Sequence, residues 1–134
     1  MKILVAEDDY VSRRLLMKLL EGWGEVDFAV DGTEALGKFR GARKLNEPYA
    51  LLCLDIMMPG MDGREVLREI RTIEEEEGIS AINGVKIMMV TALSAYDNIA
   101  QAFRDQCDGY VTKPLNAEKL DSTLATLGFE RAGK

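Results

Sequence analysis

Five residues in this chain have types and positions that suit one piece of chemistry: Glu7, Asp8, Asp55, Thr91 and Lys113. Each lies at the end of a short apolar run. If those runs are parallel strands, their carboxyl ends share one edge, and the five side chains meet there although they are far apart in sequence. Clustered carboxylates repel one another and raise one another's pKa unless a cation intervenes. Oxygen ligands in a chain without a single histidine favour Mg²⁺ over zinc or copper. Lys113 adds a second positive charge, and the Thr91 hydroxyl can donate to a phosphoryl oxygen. Together these groups suit phosphoryl transfer, in which the protein positions the reactants and neutralises charge on the equatorial oxygens. Asp55 is then the nucleophile, forming an acyl phosphate.

Each residue also has a plainer reading. An Asp beside Pro59 and Gly60 commonly just ends a strand or caps a turn. Glu7, Asp8 and Asp9 are readable as a solvated turn with Asp9 as N-cap of the first helix. Lys-Pro often marks only a loop. The joint occurrence of these residues at four strand ends, in order, outweighs the separate readings.

The elements that must position them follow from periodicity. Residues 3–6 form an apolar strand that runs into the acids, and Val11, Leu15, Leu16, Leu19 and Leu20 lie on one side of a first helix. Val26, Phe28 and Val30 alternate as in a half-buried edge strand. Asp31 and Glu34 open a second helix with Ala35, Leu36, Phe39 and Ala42 inward, ending near Leu45. Residues 49–54 are continuously apolar, as expected of a central parallel strand covered on both faces, and end at Asp55. Asp62 and Glu65 have N-cap and N3 spacing for a third helix with Val66, Leu67, Ile70 and Ile73 inward. Glu74 to Glu77 read as a solvated helix end that opposes the macrodipole, so fraying is expected there, followed by an irregular loop through Gly84. Residues 85–90 are a buried strand, 95–106 a weaker helix, and 110–112 a short strand. A last helix capped by Asn116 turns Leu120, Leu124 and Leu127 inward. Strand then helix, five times, predicts an α/β parallel sheet with right-handed crossovers and helices on both faces.

Composition narrows the class. The 134 residues suit one domain, and 47% hydrophobic with 30% charged residues suits a globular one. A net charge of −6 argues against direct nucleic-acid binding. The opening residues lack the h-region of a signal peptide and no run reaches membrane-spanning length, so a cytoplasmic protein without membrane insertion is expected. Cys53 and Cys107 fit neither a redox motif nor a disulfide framework and are expected to be reduced thiols.

ILVAEDD from Ile3, LLCLDIMMPGMDG from Leu51, MVTA from Met89 and GYVTKP from Gly109 resemble the receiver domain of two-component response regulators, the family of the chemotaxis protein CheY. The resemblance implies a flavodoxin-like (βα)5 three-layer sandwich, a doubly wound five-stranded parallel sheet of order 2-1-3-4-5. A receiver over residues 1–128 and a short tail over 129–134 follow. It further implies Asp55 as phosphoacceptor and Mg²⁺ bound by Asp8 directly, by Glu7 through water, by Asp55 and by the Met57 backbone carbonyl. Thr91 is then the switch hydroxyl, Tyr110 the switch aromatic and Lys113 the phosphate-pairing lysine, with a cis Lys113–Pro114 peptide. The implied donor is a sensor histidine kinase or histidine phosphotransfer protein. The implied output is a protein target docking around the helix over 95–106, the fifth strand and the last helix. Phosphorylation and slow hydrolysis are autocatalytic in such a protein, a signalling phosphoacceptor rather than an enzyme with a separate substrate. The chain departs from the family in its long acidic segment over residues 74–84, and in Met57 and Leu93, which replace residues that are often polar.

Two rival functions remain at this stage. A Mg²⁺-dependent phosphatase with an aspartyl nucleophile would want a second Asp two residues after it, where Met57 stands. A receiver-like module that docks constitutively would be expected to have lost at least one of the acids, the threonine or the lysine.

Overall fold

Successive residues of a strand face opposite ways, and in the central strands both sets are apolar, so the sheet needs a helical layer on each side. In a computed structural model that describes residues 1–80, 82–92 and 106–131, and only the backbone of Thr91, this layering is what forms. Strands β1 (Lys2–Ala6), β2 (Glu25–Ala29), β3 (Leu51–Asp55), β4 (Lys86–Ala92) and β5 (Gly109–Lys113) make one parallel sheet in the order β2-β1-β3-β4-β5. Among the described residues the helices are α1 (Tyr10–Leu20), α2 (Gly32–Lys44), α3 (Gly63–Glu76) and α4 (Ala117–Thr126). The helix expected over residues 95–106 falls, apart from Gln106, outside the described residues, as does Leu93.

Leu4, Ala6, Leu52, Leu54, Ile87 and Met89 face α2 and α3, meeting Leu36, Phe39, Val66, Leu67 and Ile70. Ile3, Val5, Leu51, Cys53, Met88 and Val90 face α1 and α4, meeting Leu16, Leu20, Leu120 and Leu124. Burying one such Leu or Ile is worth about 1.5–3 kcal/mol. These two cores therefore fix the strand register, which pairs Ala6 with Leu54, Asp55 with Val90 and Ala92 with Lys113. Each helix starts on a side chain that accepts from an otherwise unpaired N–H: Asp9 from Ser12, Asp31 from Glu34, Asp62 from Arg64 and Glu65, and Asn116 from Lys119.

Three expectations are corrected. On α1, Leu16 and Leu20 are buried, but Val11 and Leu15 are exposed. Positions 11 and 15 form one i,i+4 flank and 16 and 20 another, and only the second meets the sheet. On β2, Ala29 is the buried residue, while Phe28 and Val30 are exposed. The α1 layer covers this edge strand only at Val26, and beyond it Phe28 is flanked by Arg13 and Lys38.

The largest correction concerns the acidic run. Rather than fraying, α3 continues through Glu76 and closes with Gly78 at φ 77°, where Ile79 N–H donates to the Glu74 carbonyl at 2.8 Å and Gly78 N–H to that of Glu75 at 3.0 Å. This is a Schellman closure. Glu74 is only 1% exposed, and its carboxylate accepts from Arg71 at 2.6 Å and from Val85 N–H at 2.7 Å. Arg71, three residues earlier, supplies the charge that the helix dipole does not.

Candidate functional site

Because the strands are parallel, β1, β3 and β5 all deliver their last residues to one edge. Glu7 and Asp8 follow β1, Asp55 ends β3 and Lys113 ends β5. Glu7 is 1% exposed and Asp55 4%, whereas Asp8 is exposed. One carboxylate oxygen from each of the three lies within 4.8 Å of the others. The Lys113 ammonium donates to Glu7 Oε1 at 2.9 Å and to Asp55 Oδ2 at 3.3 Å.

The main chain around these acids is tightly held. Glu7 N–H donates to the Ala29 carbonyl at 3.1 Å, and Asp9 N–H to Glu7 Oε2 at 3.2 Å. Asp55 Oδ1 accepts from Met57 N–H at 3.1 Å, and Ile56 N–H donates to Val90 O at 3.0 Å. Residue 63 has to be glycine here. A Cβ on it would lie 2.3 Å from the Asp55 carbonyl oxygen and 3.1 Å from Ile56 Cα, both backbone atoms that cannot turn aside. The Lys113–Pro114 peptide is cis, as the resemblance implies.

One ammonium against three carboxylates leaves the cluster negative. Burial pushes the Glu7 carboxyl above its usual value, and the nearby Asp55 carboxylate pushes the same way against the pull of Lys113. For Lys113 burial acts downward, but its contacts with Glu7 and Asp55 outweigh it and hold the ammonium more strongly protonated than usual. A divalent cation would remove the excess charge. Neighbouring oxygens of an octahedral Mg²⁺ are about 3 Å apart and opposite ones about 4.2 Å, so three oxygens already within 4.8 Å can draw in around one ion. The donor set fits the ion.

Thr91 is placed by its backbone beside Thr112 of β5, and its hydroxyl lies outside what is described. Tyr110 sits on β5 opposite Met89 and is 42% exposed. Met57, 66% exposed, touches Asp55 through its N–H. Sequence reasoning missed Arg13, whose guanidinium donates to the Glu7 carbonyl at 3.0 Å and, over a longer reach, to that of Asp8 at 3.4 Å. Arg13 lies one turn into α1, past its N-cap Asp9, and no apolar or charge pattern in the sequence marks it.

A doubly wound sheet of order 2-1-3-4-5, with an acidic trio and a lysine converging on one strand-end aspartate, defines the CheY-like class of phosphorelay receivers. The chain belongs to the response regulator receiver domain family, whose model matches residues 3–125. It is 42% identical over 131 residues to the regulatory protein VanRB of Enterococcus faecalis, covering 98% of this chain and 53% of that protein. It thus spans about half the length of that relative, and 25% or less of other curated relatives. Among solved structures it superposes on a CheY-like receiver domain protein from Methanospirillum hungatei with a TM-score of 0.75 and 27% identity, covering 94% of this chain and 91% of the other. The receiver domain of the histidine kinase CKI1 from Arabidopsis thaliana, solved with Mg²⁺ and BeF3⁻, matches with a TM-score of 0.74 and 26% identity, over 92% and 89% of the two chains. Among the described residues no helix is long and apolar enough to cross a membrane.

Proposed function

We propose that this receiver accepts a phosphoryl group on Asp55 from the phosphohistidine of a sensor histidine kinase or a histidine phosphotransfer protein. An Asp55 oxygen attacks phosphorus, the P–N bond to the imidazole breaks, and an acyl phosphate results. Asp55 is held for this by Met57 N–H on one oxygen and Lys113 on the other. As the phosphoryl group arrives, Lys113 exchanges its carboxylate contact for a phosphoryl oxygen. Glu7, Asp8, Asp55 and the Met57 carbonyl would hold Mg²⁺, which supplies charge neutralisation for the equatorial oxygens.

Slow hydrolysis by the same site would return the protein to rest, without a separate substrate. Thr91 and Tyr110, neighbours of Lys113 on β4 and β5, are the residues we assign to signalling the change. The output surface is then formed by residues 95–106, β5 and α4, where a target protein docks. The same reading puts the chain in the cytoplasm, where its two free thiols stay reduced.

The observation that carries this reading is the convergence of three carboxylates within 4.8 Å with Lys113 on Asp55. The CKI1 receiver, solved with Mg²⁺ and BeF3⁻, supports it. Wild type and Asp55→Asn should be treated with acetyl phosphate and Mg²⁺ and followed by intact mass. Wild type is expected to gain one phosphoryl group and the variant none. Equal incorporation in both overturns the assignment.

A further inference from the structure

The turn from β1 to α1 carries two of the three acids, yet it is short and Asp8 is exposed, so something other than burial must hold its main chain in place. We propose that Arg13 is a positioning residue for the acidic edge. Its guanidinium bridges the carbonyls of Glu7 and Asp8, and two aromatic rings fix the guanidinium. This rests on reading that edge as the metal and phosphoryl site.

Arg13 Nη1 donates to the Glu7 carbonyl at 3.0 Å and approaches the Asp8 carbonyl at 3.4 Å. Its guanidinium carbon stands 5.5 Å from the centre of the Tyr10 ring and 5.2 Å from that of Phe28. Tyr10 lies three residues back on the same flank of α1, and Phe28 comes from β2, so the cation is clamped between two elements. The same strand fastens the turn a second time, through the bond from Glu7 N–H to the Ala29 carbonyl at 3.1 Å.

The targets of these bonds separate positioning from charge. A cation near a divalent metal site repels the metal, so a guanidinium present only for its charge would weaken binding. Arg13 instead spends its hydrogen bonds on neutral carbonyls and leaves the carboxylate oxygens to Lys113 and to the metal. Held by its main chain, the turn presents the Glu7 and Asp8 side chains without having to be ordered at the moment of binding. Phe28 and Tyr10, exposed and outside both cores, thereby gain a role that hydrophobic burial does not give them.

Titration calorimetry of Mg²⁺ into wild type, Arg13→Met and Arg13→Lys tests this, with melting temperatures measured without metal. Loss of an outer contact to metal ligands costs about 10–100-fold in affinity, and the low end is expected for Arg13→Met because the ligands themselves remain. The metal-free melting temperature should change little. Arg13→Lys, which keeps the charge and a donor, should recover most of the loss. With acetyl phosphate, the Mg²⁺ concentration for half-maximal labelling should rise in Arg13→Met while the rate at saturating Mg²⁺ stays near wild type, a split that general loosening of the fold would not give. Arg13→Met binding Mg²⁺ as tightly as wild type, or more tightly, overturns the inference. Should that variant fail to fold, Phe28→Ala carries the test: it should weaken Mg²⁺ in the same direction by a smaller factor, and unchanged affinity is again fatal. A wild type that takes up no Mg²⁺ overturns the reading of the edge and this inference with it, whereas wild-type uptake with unaltered variants overturns this inference alone.

Discussion

At the amino ends of β4 and β5, Arg71 faces Glu74 and Asp108; at the carboxyl ends of β1 and β3, Lys113 faces Glu7 and Asp55. Both clusters set cations against buried or half-buried acids, with Lys86 3.8 Å from Asp108 beside Arg71 at the amino end, but they are completed differently. At the amino end Arg71 donates to Gln106 O at 3.0 Å, Val85 O at 3.0 Å, Glu74 at 2.6 Å and Asp108 at 2.8 Å. Each acid there also accepts a backbone N–H, Glu74 from Val85 at 2.7 Å and Asp108 from Ile87 at 2.8 Å. Such saturation makes the cluster a rivet joining α3 to β4 and β5. At the carboxyl end the acids outnumber their cation and Asp8 faces solvent. Buried charge that is fully paired rigidifies a fold, and buried charge left in excess keeps a place for something else.

The sharpest way to break this comparison is to remove one cation from each end. Arg71→Met should cost about 3–5 kcal/mol, because Glu74 is left buried without its partner. Lys113→Met should cost much less, since Lys113 is 30% exposed and Glu7 can take up a proton. Urea unfolding of both measures the gap, and equal losses would mean that the two ends are not different in kind.

Of intermediate size is the response to metal. Mg²⁺ at tenfold its Kd should stabilise the wild type by about 1.4 kcal/mol through preferential binding to the folded state. Asp8→Asn should lose most of that gain, and Arg71→Met, if it folds, should keep it. Melting curves with and without Mg²⁺ read both. A chain indifferent to millimolar Mg²⁺ would place the excess charge in the same class as the rivet.

The smallest effect is in pH. With its folded pKa raised above 4.5, Glu7 without metal contributes stability below that value and loses it as pH rises through the raised one. Mg²⁺ requires the ionised form, so the sign reverses in its presence. On acidification, the melting shift caused by Mg²⁺ should begin to shrink at a pH above that expected of an ordinary glutamate. Lys113, raised above 10.5, adds a contribution that is full below that value and disappears only at higher pH. Thermal melts across pH, with and without metal, test both signs.

The site was legible in the sequence because it is built from strand ends. The runs at 3–6 and 49–54 and the short strand at 110–112 show where each strand stops, and parallel topology does the rest for Glu7, Asp8, Asp55 and Lys113. The opposite cluster was not legible. Arg71 and Asp108 are 37 residues apart, and Glu74 stands in a row of acids that reads as a solvated helix end. Periodicity reports which face is apolar, and says nothing about a charged residue whose partner comes from another element. The same holds for Arg13, whose bonds go to main-chain carbonyls. Val11 and Phe28 fit the apolar pattern of α1 and β2, yet they lie beyond the area where the helix covers the sheet.

Residues 129–131 fold back on the α1 and α4 face. Phe129 packs into its core, and Arg131 lies over the Trp23 ring while pairing with Asp121, which also accepts from the indole N–H at 3.3 Å. Trp23 is the only tryptophan in the chain. An indole stacked against a guanidinium and bonded to a carboxylate emits according to how those two groups sit, so the fluorescence of this protein is a gauge of one seam. It reads the latch between α4 and the turn after α1, at a distance from the acidic edge, and any colour change on phosphorylation would time the arrival of the signal there.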